Sequence, residues 1–154
     1  MTLRRELIKV MGRSHLALYR LSQGKLLGRA AGMPVLLLTT TGRRSGRART
    51  TPLTYFEDGS EFVIVASNGG EDSPPAWWLN LREQPRVSIT ICAHSESAVA
   101  RAATGEERER LWPVIIATHP GYAAYAKRTA RPIPIVLLAR TGEFGRSKEN
   151  APNR

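Results

Sequence analysis

The chain has 154 residues, of which 42% are hydrophobic and 23% charged, the ordinary balance of a soluble globular protein with one core. Its 23 Lys and Arg against 13 Asp and Glu leave +10, so an anionic partner is expected, whether nucleic acid, an acidic membrane surface or a small molecule. A single cysteine, Cys92, excludes a disulfide framework, and the longest apolar run, "MPVLLL", is of strand length, which excludes a bilayer-spanning helix.

From Leu3 to about Arg29 the apolar residues Leu3, Leu7, Val10, Met11, Leu18 and Leu21 recur at helical intervals among arginines and lysines. Residues 1–32 therefore read as a basic amphipathic helix, laid either on the domain's own core or on an anionic membrane surface. This start has no uninterrupted apolar core of a secretory signal, so the expected compartment is the cytoplasm, with membrane association on its cytoplasmic side as an option.

After Pro34 the period becomes that of strands: "VLLLTT" (35–40), "TTPLTYF" (50–56) and "EFVIVAS" (61–67), the last two joined by a tight turn at Asp58-Gly59. "NGGEDSPP" is loop by composition, and "AWWLNLREQP" reads as a short helix stopped near Pro85. Two further strands, "RVSITICAH" and "SAVARAAT", precede Thr104-Gly105-Glu106-Glu107, a capping box opening a helix through Ile116. "GYAAYAKRT" reads as a second helix and "IPIVLLAR" (133–140) as a strand. About six strands with short helices predict an α+β domain over residues 33–141, mainly antiparallel and able to close into a barrel, with a disordered tail at 142–154.

Several chemistries lack their residues. His15, His94, His119 and Cys92 are scattered without ligand-pair spacing, so no metal site is expected. No Gly-rich dinucleotide fingerprint, P-loop or nucleophile elbow is present. Glu57, Asp58 and Glu61 flank a turn, and Glu106, Glu107 and Glu109 begin a helix, where carboxylates favour the positive end of the dipole.

Four elements remain. "TTTGRRSGRART" (39–50) places four arginines and two glycines between strands, where amide N–H groups and guanidinium forks can converge on a phosphate or carboxylate; a solvated basic turn looks the same. Trp77 and Trp78 lie about 100° apart on a helix, so one can enter the core while the other faces a cleft. Tyr122 and Tyr125 share a helix face, as packing or as a wall with two hydroxyls. "VASNGG" (65–70) ends a strand with small side chains that leave backbone groups open to a flat ligand.

Taken in order, "TTTGRRSGRARTTPL", "VASNGGEDSPPAWWLNLREQPRV", "ATGEERERLWPVIIATHPGYAAYAKRT" and "RPIPIVLLAR" resemble the deazaflavin-dependent nitroreductase family, over about Pro34 to Arg140. The resemblance implies a split β-barrel like that of flavin-mononucleotide-binding oxidoreductases, an actinobacterial setting and coenzyme F-420. That coenzyme is an 8-hydroxy-5-deazaflavin, whose reduced form donates hydride and which carries a phosphate and a polyglutamate tail. Phosphate and tail contacts carry over to Arg43, Arg44, Ser45 and Arg49, with Thr50, Thr51 and Pro52 along the next strand. Ring contacts carry over to Val65, Ala66, Ser67 and Asn68, and to Ala76, Trp77, Trp78, Leu79 and Asn80, with Trp77 the cleft-facing member of its pair. Tyr122 and Tyr125 match tyrosines on the substrate side, Tyr122 counting also among the coenzyme contacts, whereas His119 and Thr54 stand where some members carry tyrosines.

The implied reaction is hydride transfer to an electron-poor acceptor such as a nitroaromatic, a quinone or an activated enone. Ser67, Tyr122 and Tyr125 are the candidate hydrogen-bond or proton donors. The competing readings are an oxidoreductase binding flavin mononucleotide and a non-catalytic lipid-surface protein on the same fold. Nucleic acid is not expected, since the basic residues are dispersed and no motif accompanies them. A homodimer is a further expectation from the split-barrel resemblance.

Overall fold

The computed structural model describes residues 29–142 apart from Ala31, and also Ala17. Eight strands and three α-helices occupy the described residues: β1 (Arg29–Ala30), β2 (Met33–Thr41), β3 (Ala48–Thr54), β4 (Phe56–Asp58), β5 (Glu61–Val65), α1 (Ala76–Glu83), β6 (Arg86–Ile91), β7 (His94–Ala102), α2 (Gly105–Thr118), α3 (Gly121–Arg128) and β8 (Ile135–Arg140). The basic helix expected over 1–32 and the tail beyond Gly142 lie outside the described residues.

All ladders are antiparallel, in the order β1-β2-β6-β7-β8-β5-β4, with β3 on β2. The run expected as one strand, "TTPLTYF", divides at Tyr55, whose N–H donates to the Pro34 carbonyl at 3.1 Å. This division shapes the sheet. β3 lies at one edge and β4 at the other, and Tyr55 alone separates them. The chain therefore draws the two edges of the curled sheet together at one corner, which is the split-barrel arrangement. Pro52, which has no N–H to donate, is tolerated because β3 is an edge strand. The hairpin turn sits one residue later than expected, since Asp58 pairs with Glu61 and Gly59, at φ +60°, takes its first central position.

The uninterrupted apolar runs are explained by strands buried on both faces. Leu36, Leu38, Ile64, Val136 and Leu138 point inside the curl, against Trp77 and Leu81 of α1. Val63, Val65, Ile135 and Leu137 point outward, against Leu111 and Ile115 of α2 and Tyr122 of α3. Burial of each such side chain contributes about 1.5–3 kcal/mol. The Thr104–Glu107 capping box forms as its residues dictate: Thr104 Oγ1 accepts from the Glu107 N–H at 3.2 Å, and the Glu107 carboxylate accepts from the Thr104 N–H at 2.8 Å.

Candidate functional site

The arginine turn connects β2 to β3 and closes on itself through Gly42 N–H to the Arg47 carbonyl and Gly46 N–H to the Gly42 carbonyl, both at 2.8 Å. Gly42 has no room for a side chain: a Cβ there would lie 2.8 Å from Ser45 Oγ and 3.1 Å from the Arg47 carbonyl oxygen. Gly46 takes φ +66°, a conformation glycine adopts without strain.

Asn80 ties this turn to α1. Its Oδ1 accepts from the Arg43 backbone N–H at 3.2 Å and from the Arg43 guanidinium at 3.3 Å, while its Nδ2 donates to Thr40 Oγ1 at 3.1 Å. Thr40 and Asn80 are both buried, so the bond between them forms away from water, where it is strongest.

Between the turn and the start of α1 opens a cavity of about 610 Å³, lined by the turn residues Arg43, Arg44, Ser45 and Arg49 together with Thr50, Thr51, Ala76, Trp77 and Asn80. Gly42 of the turn lines it too, as does Ala48, which was not singled out from the sequence. Pro75 precedes α1 and supplies no side-chain cap, and Ala76 and Trp77 of the first turn line the cavity, which puts the positive end of the helix at its wall with the arginines. Such a lining favours phosphate or carboxylate. Trp77 packs into the core and also lines the cavity, while Trp78 is partly exposed beneath Arg82, whose guanidinium lies 5.8 Å from its ring. Neither Trp78, Leu79 nor Pro52 reaches the cavity wall.

The tyrosines form a second centre. Tyr122 is buried, with its hydroxyl 2.9 Å from Thr54 Oγ1, and its ring meets those of His119 at 5.3 Å, Tyr125 at 5.9 Å and Phe56 at 6.1 Å. Burial pushes the Tyr122 hydroxyl above the usual phenol range, against the opposing pull of the Thr54 hydrogen bond. Thr54 and His119, which the resemblance places where some family members carry tyrosines, thus both contact Tyr122. Strand β3 connects the centres, with Thr50 and Thr51 in the cavity and Thr54 on Tyr122.

The segment after β5 differs from expectation. Its small side chains were expected to leave backbone groups open, but the Ala66 and Ser67 carbonyls both accept from Arg131, at 3.2 and 2.7 Å. Ala66 has no accessible surface, and its N–H donates to the Pro134 carbonyl. Val65 packs under α2 and α3, Ser67 is nearly buried, and exposed Asn68 donates to the Ser73 carbonyl at 2.9 Å. None of these four lines the arginine cavity. Arg131 gave no signal in the sequence, because its partners are carbonyls about 60 residues away.

Among the described residues no cluster of His, Cys, Asp and Glu could hold a metal, and no helix is long and apolar enough to cross a membrane. Of the carboxylates noted at the turn and the helix start, Asp58, Glu61 and Glu107 are engaged in surface ion pairs: Arg110 with Asp58 through two contacts at 2.9 and 2.7 Å, and Arg101 with both Glu107 and Glu61.

Comparison with known proteins matches residues 10–140 to the family of F-420H(2)-dependent quinone reductases. The chain belongs to this family. The family is one of oxidoreductases, and an F-420H(2)-dependent quinone reductase of Mycobacterium tuberculosis is 39% identical over 132 residues, covering 83% of this chain and 89% of that protein. A solved structure described as an F-420-H2 dependent reductase is 37% identical with a TM-score of 0.62, covering 68% of this chain and 93% of its own. Another, described as a domain-swapped dimer, is 34% identical with a TM-score of 0.64, covering 81% of this chain and 95% of its own.

Proposed function

We propose that this protein uses reduced coenzyme F-420 to reduce quinones, and that nitroaromatics and activated enones are further acceptors. The observation that carries the reading is the cavity in which a turn with four arginines meets the uncapped start of α1. A phosphate and a carboxylate tail are the groups this lining suits, and a larger anionic tail explains the number of arginines better than a single phosphate does. When bound, the reduced deazaflavin supplies the hydride.

The chain's own residues do the rest. Arg43, Arg44 and Arg49 hold the anionic portion, Ser45 and the threonines Thr50 and Thr51 add hydroxyls, and Trp77 offers an apolar wall where the cavity meets the core. Conversion of a quinone to a hydroquinone takes one hydride and one proton. Tyr122 keeps a proton on Oη well into alkaline conditions and can hydrogen-bond an acceptor oxygen, with Thr54 setting the hydroxyl's direction. Tyr125, half-buried, and Ser67 are the alternative donors. Pairing of two copies is a further proposal, supported by the structural neighbour described as a domain-swapped dimer. Contact with an anionic membrane rests on residues outside those described.

Titration of the purified protein with oxidised and reduced deazaflavin coenzyme, beside flavin mononucleotide and nicotinamide dinucleotides, tests the reading, followed by turnover with a naphthoquinone. Selective deazaflavin binding with hydroquinone formation is expected. Exclusive binding of flavin mononucleotide would overturn it.

A further inference from the structure

The segment leaving β5 has an unusual backbone. Asn68, Gly69 and Gly70 take φ of 47°, 64° and 78° in succession, three left-handed residues in a row, and Asn68 is not a glycine. A run of this kind persists only where its surroundings hold it. Its own hydrogen bonds include Gly70 N–H to the Ser67 carbonyl, Glu71 N–H to the Asn68 carbonyl and Asn68 Nδ2 to the Ser73 carbonyl.

What holds it is the end of α3, where Arg128 Nη1 donates to the Gly69 carbonyl at 3.4 Å, and above all the chain that follows. The Arg131 guanidinium donates through Nε to the Glu71 carbonyl at 2.8 Å, through Nη1 to the Ala66 carbonyl at 3.2 Å and through Nη2 to the Ser67 carbonyl at 2.7 Å. Thr129 Oγ1 donates to Asp72 at 2.9 Å and accepts the Arg131 backbone N–H at 3.3 Å, which fixes where the arginine stem begins. Gly70 lies so close to α3 that a Cβ would fall 2.8 Å from the Tyr125 carbonyl oxygen. Three carbonyls in different directions match the rigid fork of a guanidinium; an ammonium has three donors but no fork.

We infer that Arg131 is a positioning residue, which locks the Ala66–Glu71 segment onto the end of α3 and thereby sets the distance between Ser67 and Asn68 on one side and Tyr122 and Tyr125 on the other. The functional part rests on the reading that this segment and these tyrosines flank the coenzyme ring and the acceptor. With the segment released, the arginine cavity keeps its anion contacts, because none of the locked residues lines it. The loss falls on ring placement and on alignment of the acceptor.

The test uses the full chain, with Arg131→Met and Arg131→Lys. Hydrogen exchange of the ligand-free proteins reads the lock directly: in Arg131→Met, exchange at Gly70 and Glu71 rises by roughly tenfold or more while the β2 amides stay protected. With reduced deazaflavin and a naphthoquinone, kcat/KM falls by roughly tenfold to a hundredfold, and Arg131→Lys regains part of it. Binding of inorganic phosphate to the arginine cavity is unchanged in both variants. If Arg131→Met does not fold, Arg131→Lys supplies the same two readings at smaller amplitude. Unchanged exchange at Gly70 and Glu71 overturns the lock. Raised exchange with unchanged kcat/KM overturns the positioning role. Failure of the wild type to bind any deazaflavin overturns the functional reading and the ring-placement role with it, and exchange still decides whether Arg131 holds the segment.

Discussion

A single oxygen of Asn80 accepts both the backbone N–H and the guanidinium of Arg43, at 3.2 and 3.3 Å, so the first arginine of the turn is aimed by a buried side chain of α1. The resemblance to deazaflavin enzymes casts Asn80 as a coenzyme contact, and in the structure it is also the residue that sets Arg43. Asn80→Ala leaves the Arg43 N–H without its partner and Thr40 Oγ1 with only its 3.5 Å bond to the Arg49 carbonyl, and a loss of about 1–3 kcal/mol of stability is expected by denaturant unfolding. Asn80→Asp keeps the Arg43 contacts but puts a negative charge on the cavity wall. Its folding is expected to survive with weakened coenzyme binding, and undiminished binding would argue against an anionic occupant.

Arg43 and Arg49 line the cavity from opposite ends of the turn. A hydrogen bond to a charged group is worth about 1.5–3 kcal/mol, so each alanine substitution is expected to weaken coenzyme binding by roughly tenfold to a hundredfold. Because the contacts are ionic, wild-type affinity should fall as salt rises, and the double variant should show a shallower salt dependence. Fluorescence titration across salt concentrations checks both. Equal salt slopes in wild type and double variant would remove these arginines from the site.

Gly42→Ala asks whether the turn's closure matters to binding. The added methyl must displace Ser45 or the Arg47 carbonyl, and the latter belongs to the turn's own hydrogen bond. Ser45 can rotate away and backbone cannot follow as cheaply, so loss of anion binding should exceed loss of thermal stability. Comparable losses in both would mark Gly42 as a packing residue only.

Tyr122→Phe removes the hydroxyl that meets Thr54 and leaves the ring among Phe56, His119 and Tyr125. A neutral hydrogen bond contributes about 0.5–1.5 kcal/mol, so the fold should persist. If Tyr122 assists the acceptor, kcat with a naphthoquinone falls while the affinity for coenzyme is nearly unchanged. A rise in the coenzyme KM with kcat intact would instead place Tyr122 against the coenzyme.

The acidic limb of stability should carry a signature from Glu107. Its hydrogen bond with Arg101, then that with the Thr104 N–H, lower its carboxyl from 4.5 to about 2. A depressed folded value means that the stabilisation is complete above the unfolded value of 4.5 and is lost as pH falls through 2. The difference in thermal midpoint between wild type and Glu107→Gln should be constant above that range and shrink through it. Asp58, held low chiefly by its hydrogen bond with Arg110, adds in the same direction. Both pairs lie at the surface, so added salt should reduce the difference.

Local elements were legible because their causes are local. Alternation and apolar runs identify the strands, Thr104 with Glu107 determines a helix start, and Gly42, Gly46 and four arginines determine a basic turn that can cradle an anion. The order of family segments from Pro34 to Arg140 carries the split barrel and the coenzyme class. Tertiary structure decided what depends on distant partners: that Tyr55 breaks a strand to bring two sheet edges together, that Asn80 reaches Arg43 across 37 positions, and that Thr54 meets Tyr122 across 68. Arg131 is the clearest case. A guanidinium recognises carbonyl directions, every residue has a carbonyl, and only the fold brings those of Ala66, Ser67 and Glu71 to one point.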